Sequence, residues 1–339
     1  MRKVSRRTAL YGLGVGLLSL ARRTRSVEGP VPILDTHVHF PRSPRDEIYD
    51  LDAAVVLREM DRFGIEKVIL SPPPFPPGRR PPSVDELRAV ARKQPRIAFA
   101  AGGESLNPIL QATPADQVSP QIMRRFTEIA EHIAATGAAS FGELAAEHFS
   151  SGRGRHPYES SPPDHPLLLA LADLAARYAM PVDLHMEAVP EDMSFPVYRP
   201  RGPNPDRIFA NIARFERLLD HNPQAHIVWL HAGWDLTGER TLALMRRLLK
   251  QHDNLMMSIK YDGTGSKSTA PFLPDGSDLR MGWIAMLRDF PHRFMIGSDQ
   301  FIGELAERFE SARRLIDALP PDLKPAVASE NARRIYRLA

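Results

Sequence analysis

The chain has 339 residues and a formal net charge of +3 at pH 7, and 43% of its residues are hydrophobic, which is enough to bury a full core. The charge is uneven, because residues 1–29 hold seven Lys or Arg and one acid, whereas the remainder holds 37 basic and 40 acidic residues. A nearly neutral remainder argues against a nucleic-acid surface. The chain contains no cysteine, which excludes disulfides and leaves imidazole and carboxylate as ligands for a metal site.

The basic leader is similar to a twin-arginine export signal. Its Ser5-Arg6-Arg7-Thr8-Ala9-Leu10 segment precedes an apolar run, and Ser19-Leu20-Ala21 supplies the small residues that a signal peptidase requires. The run is too short to cross a bilayer as a stable helix. The arginine-rich segment 22–25 is unusual directly after a cleavage site, and a disordered basic tail is the alternative. We expect residues 1–29 to direct export to the periplasm by the twin-arginine route.

The first predicted strand carries a pair of histidines. An apolar run from Val31 to Leu34 indicates a short buried strand, which Asp35-Thr36-His37-Val38-His39-Phe40 closes. Because strand side chains alternate between faces, His37 and His39 point the same way, about 6 to 7 Å apart at the Cα atoms. Two neutral imidazoles that converge make half of a metal site. The alternative is two half-exposed strand histidines, so other segments must supply the remaining ligands.

Three later strand patterns also end in residues that bind metals. Residues 180–185 end in His185, residues 225–231 end in His231, and residues 293–299 end in Asp299. A single histidine at a strand end is usually capped or partly solvated. Four strand ends with five such residues, in this order, are hard to obtain by accident.

Eight strand patterns, each followed by a helical pattern, predict one closed parallel (β/α)8 TIM barrel of the α/β class over residues 30–339. Ser83-Val84-Asp85-Glu86 fits a helix capping box, and Ile208, Ile212, Phe215 and Leu219 recur at helical spacing. The carboxyl ends of barrel strands carry the chemistry of this fold, and every proposed ligand lies at such an end. The predicted strands cover residues 31–39, 67–71, 97–102, 138–144, 180–186, 225–231, 254–259 and 293–299.

The ligand pattern resembles the amidohydrolase superfamily of metal-dependent barrels. His-x-His at the first strand, His at the fifth, His at the sixth and Asp at the eighth are arranged as in that superfamily. The closing segment 330–338, Glu-Asn-Ala-Arg-Arg-Ile-Tyr-Arg-Leu, is similar to the terminal helix of the amidohydrolase-related branch that includes aminocarboxymuconate-semialdehyde decarboxylase. The resemblance implies a divalent metal, for which we expect zinc, as one or two ions.

The fourth predicted strand, residues 138–144, determines the number of metals. It contains no lysine, so we do not expect the carboxylated lysine that bridges two metals in many binuclear amidohydrolases. Glu143 could bridge two cations instead, could accept a hydrogen bond from a ligand histidine, or could have an unrelated structural role. We expect the neighbouring Glu147 and His148 to lie in the following loop.

Asp299 and His231 are the predicted catalytic residues. In a hydrolase, a metal lowers the pKa of water to about 7, and a carboxylate beside metal and water can take the proton. Asp299 is our candidate for that base, and His231 either binds a second metal or orients the water in a one-metal site. In the decarboxylase relatives, the resemblance implies a single metal and a catalytic histidine on the sixth strand.

The loops suggest where a substrate binds. Cations over the mouth of the barrel favour an anionic substrate, although solvated loop charges are the alternative. Phe195, Tyr198 and Trp234 could line a pocket for an aromatic group or pack a lid. The candidate substrate-binding residues are Arg199, Arg201, Lys260 and Tyr261, with Arg79 and Arg80 on another loop.

The sequence therefore predicts a metal-dependent hydrolase of a small-molecule ester, lactone, amide or related bond. The alternatives are a nonoxidative decarboxylase of a carboxylated ring or unsaturated acid, and an exported metal- or solute-binding protein without turnover. We expect no nucleic-acid partner and no stable membrane span, and we leave open whether the chain forms a homo-oligomer.

Overall fold

The computed structural model describes residues 30–40, 53–73, 82–150, 157–196, 202–302 and 306–339. The predicted export leader lies outside these residues, as do Arg79, Arg80, Arg199 and Arg201. In the described part of the chain, no helix has both the length and the apolar character that a bilayer crossing requires.

Eight parallel strands form the centre of the molecule, and each pairs with the next in chain order. Their bounds are β1 Ile33–His39, β2 Ile65–Ser71, β3 Ile97–Gly102, β4 Ser140–His148, β5 Val182–Met186, β6 Ile227–Ala232, β7 Leu255–Ile259 and β8 Phe294–Ile296. Short two-residue strands lie at Glu159–Ser160, Met193–Ser194, Arg207–Ile208 and Gln300–Phe301.

Helices cover the outside of the sheet. The α-helices are α1 Ala53–Phe63, α2 Val84–Lys93, α3 Leu106–Ala112, α4 Pro120–Thr136, α5 Pro166–Tyr178, α6 Ile212–His221, α7 Leu242–Gln251, α8 Met281–Asp289, α9 Glu307–Ala318 and α10 Asn331–Tyr336. A 3-10 turn lies at Ala115–Gln117, and a π-helical turn at Ala326–Glu330 leads into α10.

The last strand run closes the barrel. Phe294–Ile296 pairs with β7, and Gln300–Phe301, after three intervening residues, pairs parallel with Val38 and His39 of β1. Between the two pieces, the amide of Asp299 donates to the carbonyl of His37 at 2.8 Å. The interrupted run therefore joins the first and the last strand, and the predicted closed barrel is confirmed.

Local sequence signals explain several helix ends. The Ser83 hydroxyl accepts a hydrogen bond from the Glu86 amide, and the Glu86 carboxylate accepts one from the Ser83 amide at 2.7 Å, so the predicted capping box is confirmed. Helix α4 begins at Pro120 after the Ser119 cap and ends at Gly137, which has a φ of 86°, a left-handed conformation that glycine adopts without steric cost.

Helix α10 covers the end of the barrel that lies opposite the predicted ligands. Its Ile335 and Tyr336 pack on apolar side chains from the amino halves of the strands, among them Leu34 and Val228. The Tyr336 hydroxyl donates to Asp183 Oδ1 at 2.7 Å, inside the barrel. Burial raises the pKa of Asp183 to about 6, although hydrogen bonds from Ser140 and Tyr336 oppose that rise.

Two local predictions are wrong. Strand β4 continues to His148, so Glu147 and His148 are buried strand residues and not loop residues. The short strand Glu159–Ser160 pairs antiparallel with these two residues and lengthens β4 beyond its neighbours. Ile208, which fits a helical spacing, lies instead in a short strand that pairs with Met193, and α6 begins only at Ile212.

Candidate metal centre

The structure brings all six predicted ligand residues together at the carboxyl ends of the barrel strands. Each is buried, and none is more than 8% exposed. Three overlapping groups have ligand atoms within 4.8 Å of one another. These groups are His37 with His39 and Glu143, His37 with His231 and Asp299, and Glu143 with His185 and His231.

Glu143 lies at the centre of the cluster and turns one oxygen to each pair of histidines. Its Oε2 is 3.5 Å from Nε2 of His37 and 3.5 Å from Nε2 of His39. Its Oε1 is 2.9 Å from Nδ1 of His185 and 3.4 Å from Nε2 of His231. This carboxylate can thus contact a separate cation through each of its oxygens.

Asp299 completes the cluster on the side of β8 and divides its oxygens in a similar way. Its Oδ1 lies 2.8 Å from Nε2 of His39 and 3.9 Å from Nε2 of His37. Its Oδ2 lies 2.7 Å from Nζ of Lys260 and 2.6 Å from Nη1 of Arg308. One oxygen therefore faces the histidines and the other faces two cations.

The hydrogen bonds around His39 fit a bound cation. Its Nδ1 lies 3.0 Å from the carbonyl of Ser71, so we assign the ring proton to Nδ1. The unprotonated Nε2 then faces Asp299 Oδ1, and two acceptor atoms at 2.8 Å need a proton or a cation between them. Both ring nitrogens of the buried His37 lack a hydrogen-bond partner among the described residues, as does Nδ1 of His231. These donor atoms fit a divalent metal.

The charges in the cluster stabilise its carboxylates in the ionised form. Burial alone would raise the pKa of Glu143, but His37, His185 and His231 hold it well below its usual value. Burial also opposes ionisation of Asp299, but Arg308, Lys260 and His39 hold its pKa well below its usual value. Both residues are therefore anionic at neutral pH, as metal ligands must be.

The histidines of the second pair differ in their protonation. Burial lowers the pKa of His231 well below its usual value. Burial also disfavours the charged form of His185, but hydrogen bonding to Glu143 and Glu187 outweighs it and raises the pKa of His185 to about 9. Without a metal, His185 therefore carries a proton at neutral pH, and a metal that binds there must displace it.

His231 and Asp299 both have a left-handed backbone, with φ of 65° and 61°. Such a conformation costs a residue other than glycine on the order of 1 to 3 kcal/mol and persists where the surrounding structure imposes it. At Asp299 the hydrogen bond from its amide to the carbonyl of His37 helps to impose this conformation, and at His231 the amide donates to Oγ of Ser258 at 3.4 Å. Two strained residues in one cluster of ligands point to a functional site.

The two described candidates for substrate binding have different surroundings. Lys260 is 1% exposed. Its ammonium lies 3.4 Å from the ring centroid of Trp234 and also contacts the Asp299 carboxylate. Tyr261 is half-buried, packs on Phe272, and lines a groove together with Trp234 and Lys267. The groove therefore offers aromatic walls.

Sequence reasoning missed Arg308 and Glu187. Glu187 follows His185 by two residues, which could have indicated a position on the same face of the strand; its Oε1 lies 3.7 Å from Nε2 of His185. Arg308 is one of several charged residues at the start of α9, and no spacing in the sequence relates it to Asp299.

Two solved structures show what the fold resembles. A 2,6-dihydroxybenzoate decarboxylase, complexed with 2,6-dihydroxybenzoate, has 15% sequence identity and a TM-score of 0.50 over 91% of this chain and 99% of that chain. A probable 2-pyrone-4,6-dicarboxylic acid hydrolase from Acinetobacter baumannii, with citric acid bound, has 13% identity and a TM-score of 0.50 over 90% of this chain and 99% of that chain. No protein-family model and no curated protein matches the sequence. The likeness confirms the predicted fold.

Proposed function

We propose that the protein is a metal-dependent hydrolase of an ester, lactone, amide or related bond in a small molecule. The observation that carries the proposal is the arrangement of Glu143, whose two oxygens face two separate pairs of histidines. A carboxylate in this position suits a centre that would hold two divalent metal ions.

The residues divide into two sets of ligands. His37, His39 and Asp299 Oδ1, with Glu143 Oε2, would hold one ion. His185 and His231, with Glu143 Oε1, would hold the other. When bound, a divalent metal supplies a Lewis acid and lowers the pKa of water to about 7. We propose zinc, because the donors are imidazole and carboxylate groups.

Asp299 is the candidate acceptor for the proton of the attacking water. Its Oδ1 is the oxygen turned towards the ligand cluster, whereas Lys260 and Arg308 occupy Oδ2. Trp234, whose ring lies 5.8 Å from that of His231, and Tyr261 line a groove that would contact part of the substrate. Whether Lys260, Tyr261, Arg199 and Arg201 bind an anionic group of that substrate stays a prediction.

A nonoxidative decarboxylase is the second candidate, and one observation favours it. His231 lies further from Glu143 than His185 does, 3.4 Å against 2.9 Å, and its Nδ1 lacks a partner among the described residues. In a centre with one metal, His231 would be free to act on the substrate directly. A binding protein without turnover is disfavoured, because a structural metal site needs neither an open coordination position nor a base such as Asp299.

We expect the zinc-loaded protein to release acid and alcohol, or acid and amine, from at least one member of a panel of esters, lactones and amides. Turnover should stop when a chelator removes the metal and return when zinc is added. Product analysis by chromatography and a parallel assay for carbon dioxide measure this. Carbon dioxide release without hydrolysis would establish the decarboxylase, and ligand binding without any product would contradict both enzyme proposals.

We also propose that the leader directs export by the twin-arginine route. Changing Arg6 and Arg7 together to Lys should leave the protein in the cytoplasm, because the receptor reads the arginine pair and not the net charge. Fractionation of cells that express each form measures the distribution. The same double change at Arg22 and Arg23 is the control, and unchanged export of the Arg6/Arg7 variant would rule out this route.

A further inference from the structure

We infer that Arg308 and Lys260 are positioning residues, which together hold Asp299 so that Oδ1 alone faces the metal ligands. The inference deepens the proposed function and rests on it only in that the cluster binds a metal. It assigns a role to Arg308, a residue on the outer helix α9. It also assigns Lys260 to positioning Asp299, in place of the substrate binding expected from the sequence.

Arg308 holds Asp299 at two points. Its Nη1 donates to the carboxylate Oδ2 at 2.6 Å and also to the backbone carbonyl of Asp299. The amide of Arg308 in turn donates to Oε1 of Gln300 at 3.2 Å, so helix α9 is joined to the segment that closes the barrel. One guanidinium thus restrains both the backbone and the side chain of Asp299.

Lys260 approaches the same oxygen from the end of β7. Its Nζ donates to Asp299 Oδ2 at 2.7 Å and lies over the ring of Trp234, where the ring face also attracts the charge. The side chain is 1% exposed. A rotation that turned Oδ2 away would therefore break two charge-assisted bonds in a buried place, which makes the observed orientation strongly preferred.

The carboxylate of Asp262 partly neutralises the charges of Lys260 and Arg308. Its Oδ2 lies 3.7 Å from Nζ of Lys260 and 3.7 Å from Nε of Arg308, and its Oδ1 accepts hydrogen bonds from the amide and hydroxyl of Thr264. Two carboxylates and two cations thus alternate in one network. Both cations are engaged within the protein, which favours a positioning role over capture of a substrate anion.

Without Arg308, Asp299 would keep one cation and lose the restraint on its backbone carbonyl. A ligand that is free to turn binds metal more weakly, and loss of a group that orients a ligand typically costs 10- to 100-fold in metal affinity. We expect a loss within that range in Arg308→Ala. We expect a similar loss in Lys260→Met, which removes the charge and keeps most of the side-chain volume.

The experiment measures zinc affinity by competition with a chromophoric chelator. Arg308→Ala should bind zinc about 10- to 100-fold more weakly than the wild type. Arg308→Lys should recover part of the loss, because an ammonium restores a positive charge opposite Oδ2 on a shorter and more flexible side chain. Added guanidinium, below denaturing concentration, should strengthen binding in Arg308→Ala and not in the wild type. The control is Arg288→Ala, which removes an exposed arginine paired with Asp322.

Wild-type affinity in both Arg308→Ala and Lys260→Met would overturn the inference. An equal loss in Arg288→Ala, or a loss in Arg308→Ala that neither lysine nor guanidinium reduces, would also overturn it, because it would indicate a general loss of structure. Thermal unfolding of each variant checks the fold. Since the readout is zinc affinity, the result does not depend on the reaction. Absence of zinc binding in the wild type would instead contradict the proposed function.

Discussion

Replacing Glu143 with Gln should halve the metal content of the chain, from two ions to one, and abolish turnover. The amide retains one oxygen that can bind a metal, but its nitrogen has no lone pair for the second. In the structure each oxygen of the Glu143 carboxylate faces its own pair of histidines. Replacing one oxygen with an amide nitrogen therefore leaves one pair of histidines without an oxygen ligand between them. Metal analysis after saturation with zinc and removal of free metal measures the stoichiometry.

The wild type must be measured in parallel, because one metal per chain in the wild type would already exclude the bridge. A matched control is Glu104→Gln, since Glu104 is also a buried carboxylate but bonds to the Gly102 amide and the Ser105 hydroxyl. If Glu143 only accepts a hydrogen bond from a ligand, affinity for a single ion should fall by about 10- to 100-fold instead. Two ions bound at wild-type affinity in Glu143→Gln would contradict the bridge.

Replacing His185 with Ala should lower the bound metal and bring turnover below detection while the barrel stays folded. Among the described residues, His185 supplies the shortest histidine contact with Glu143, at 2.9 Å, and its removal leaves His231 as the only described histidine facing Oε1. The apolar packing that stabilises the barrel lies in the strands and the outer helices, away from this side chain. Metal content, activity and the circular dichroism spectrum measure the three expectations.

His132→Ala is the control for this substitution, since His132 is an exposed residue of α4. It should retain metal, turnover and fold. Full metal occupancy with normal turnover in His185→Ala would contradict the ligand assignment. A loss of the helical signal in His185→Ala would show that the fold needs this residue, and Asp299→Asn would then replace it as the test of the ligands.

The barrel could be predicted from the sequence because the barrel strands are buried on both faces, and such strands appear in the sequence as short apolar runs. It also predicted which strand ends would meet, since parallel strands of a closed barrel bring their carboxyl ends to one side. His37 and Asp299 lie more than two hundred residues apart in the chain and nevertheless belong to one group of ligand atoms within 4.8 Å of one another, as the topology requires.

Three features could not be predicted, each for a physical reason. The length of β4 depends on its pairing with Glu159–Ser160, a contact that is formed only in the folded chain. The contact of Arg308 with Asp299 depends on how α9 packs after the barrel closes. The division of the Glu143 oxygens between two pairs of histidines depends on the rotamer of one side chain, which no sequence pattern specifies.

The interrupted strand at residues 294–301 has a consequence for the order of events during biosynthesis. His37 and His39 leave the ribosome early, but Asp299 and the segment that pairs with β1 follow some 260 residues later. Until then the nascent chain presents these histidines and Glu143 without Asp299, and the ring of strands is open between β8 and β1. The set of residues that would hold the first ion is therefore complete only after the eighth strand has been synthesised.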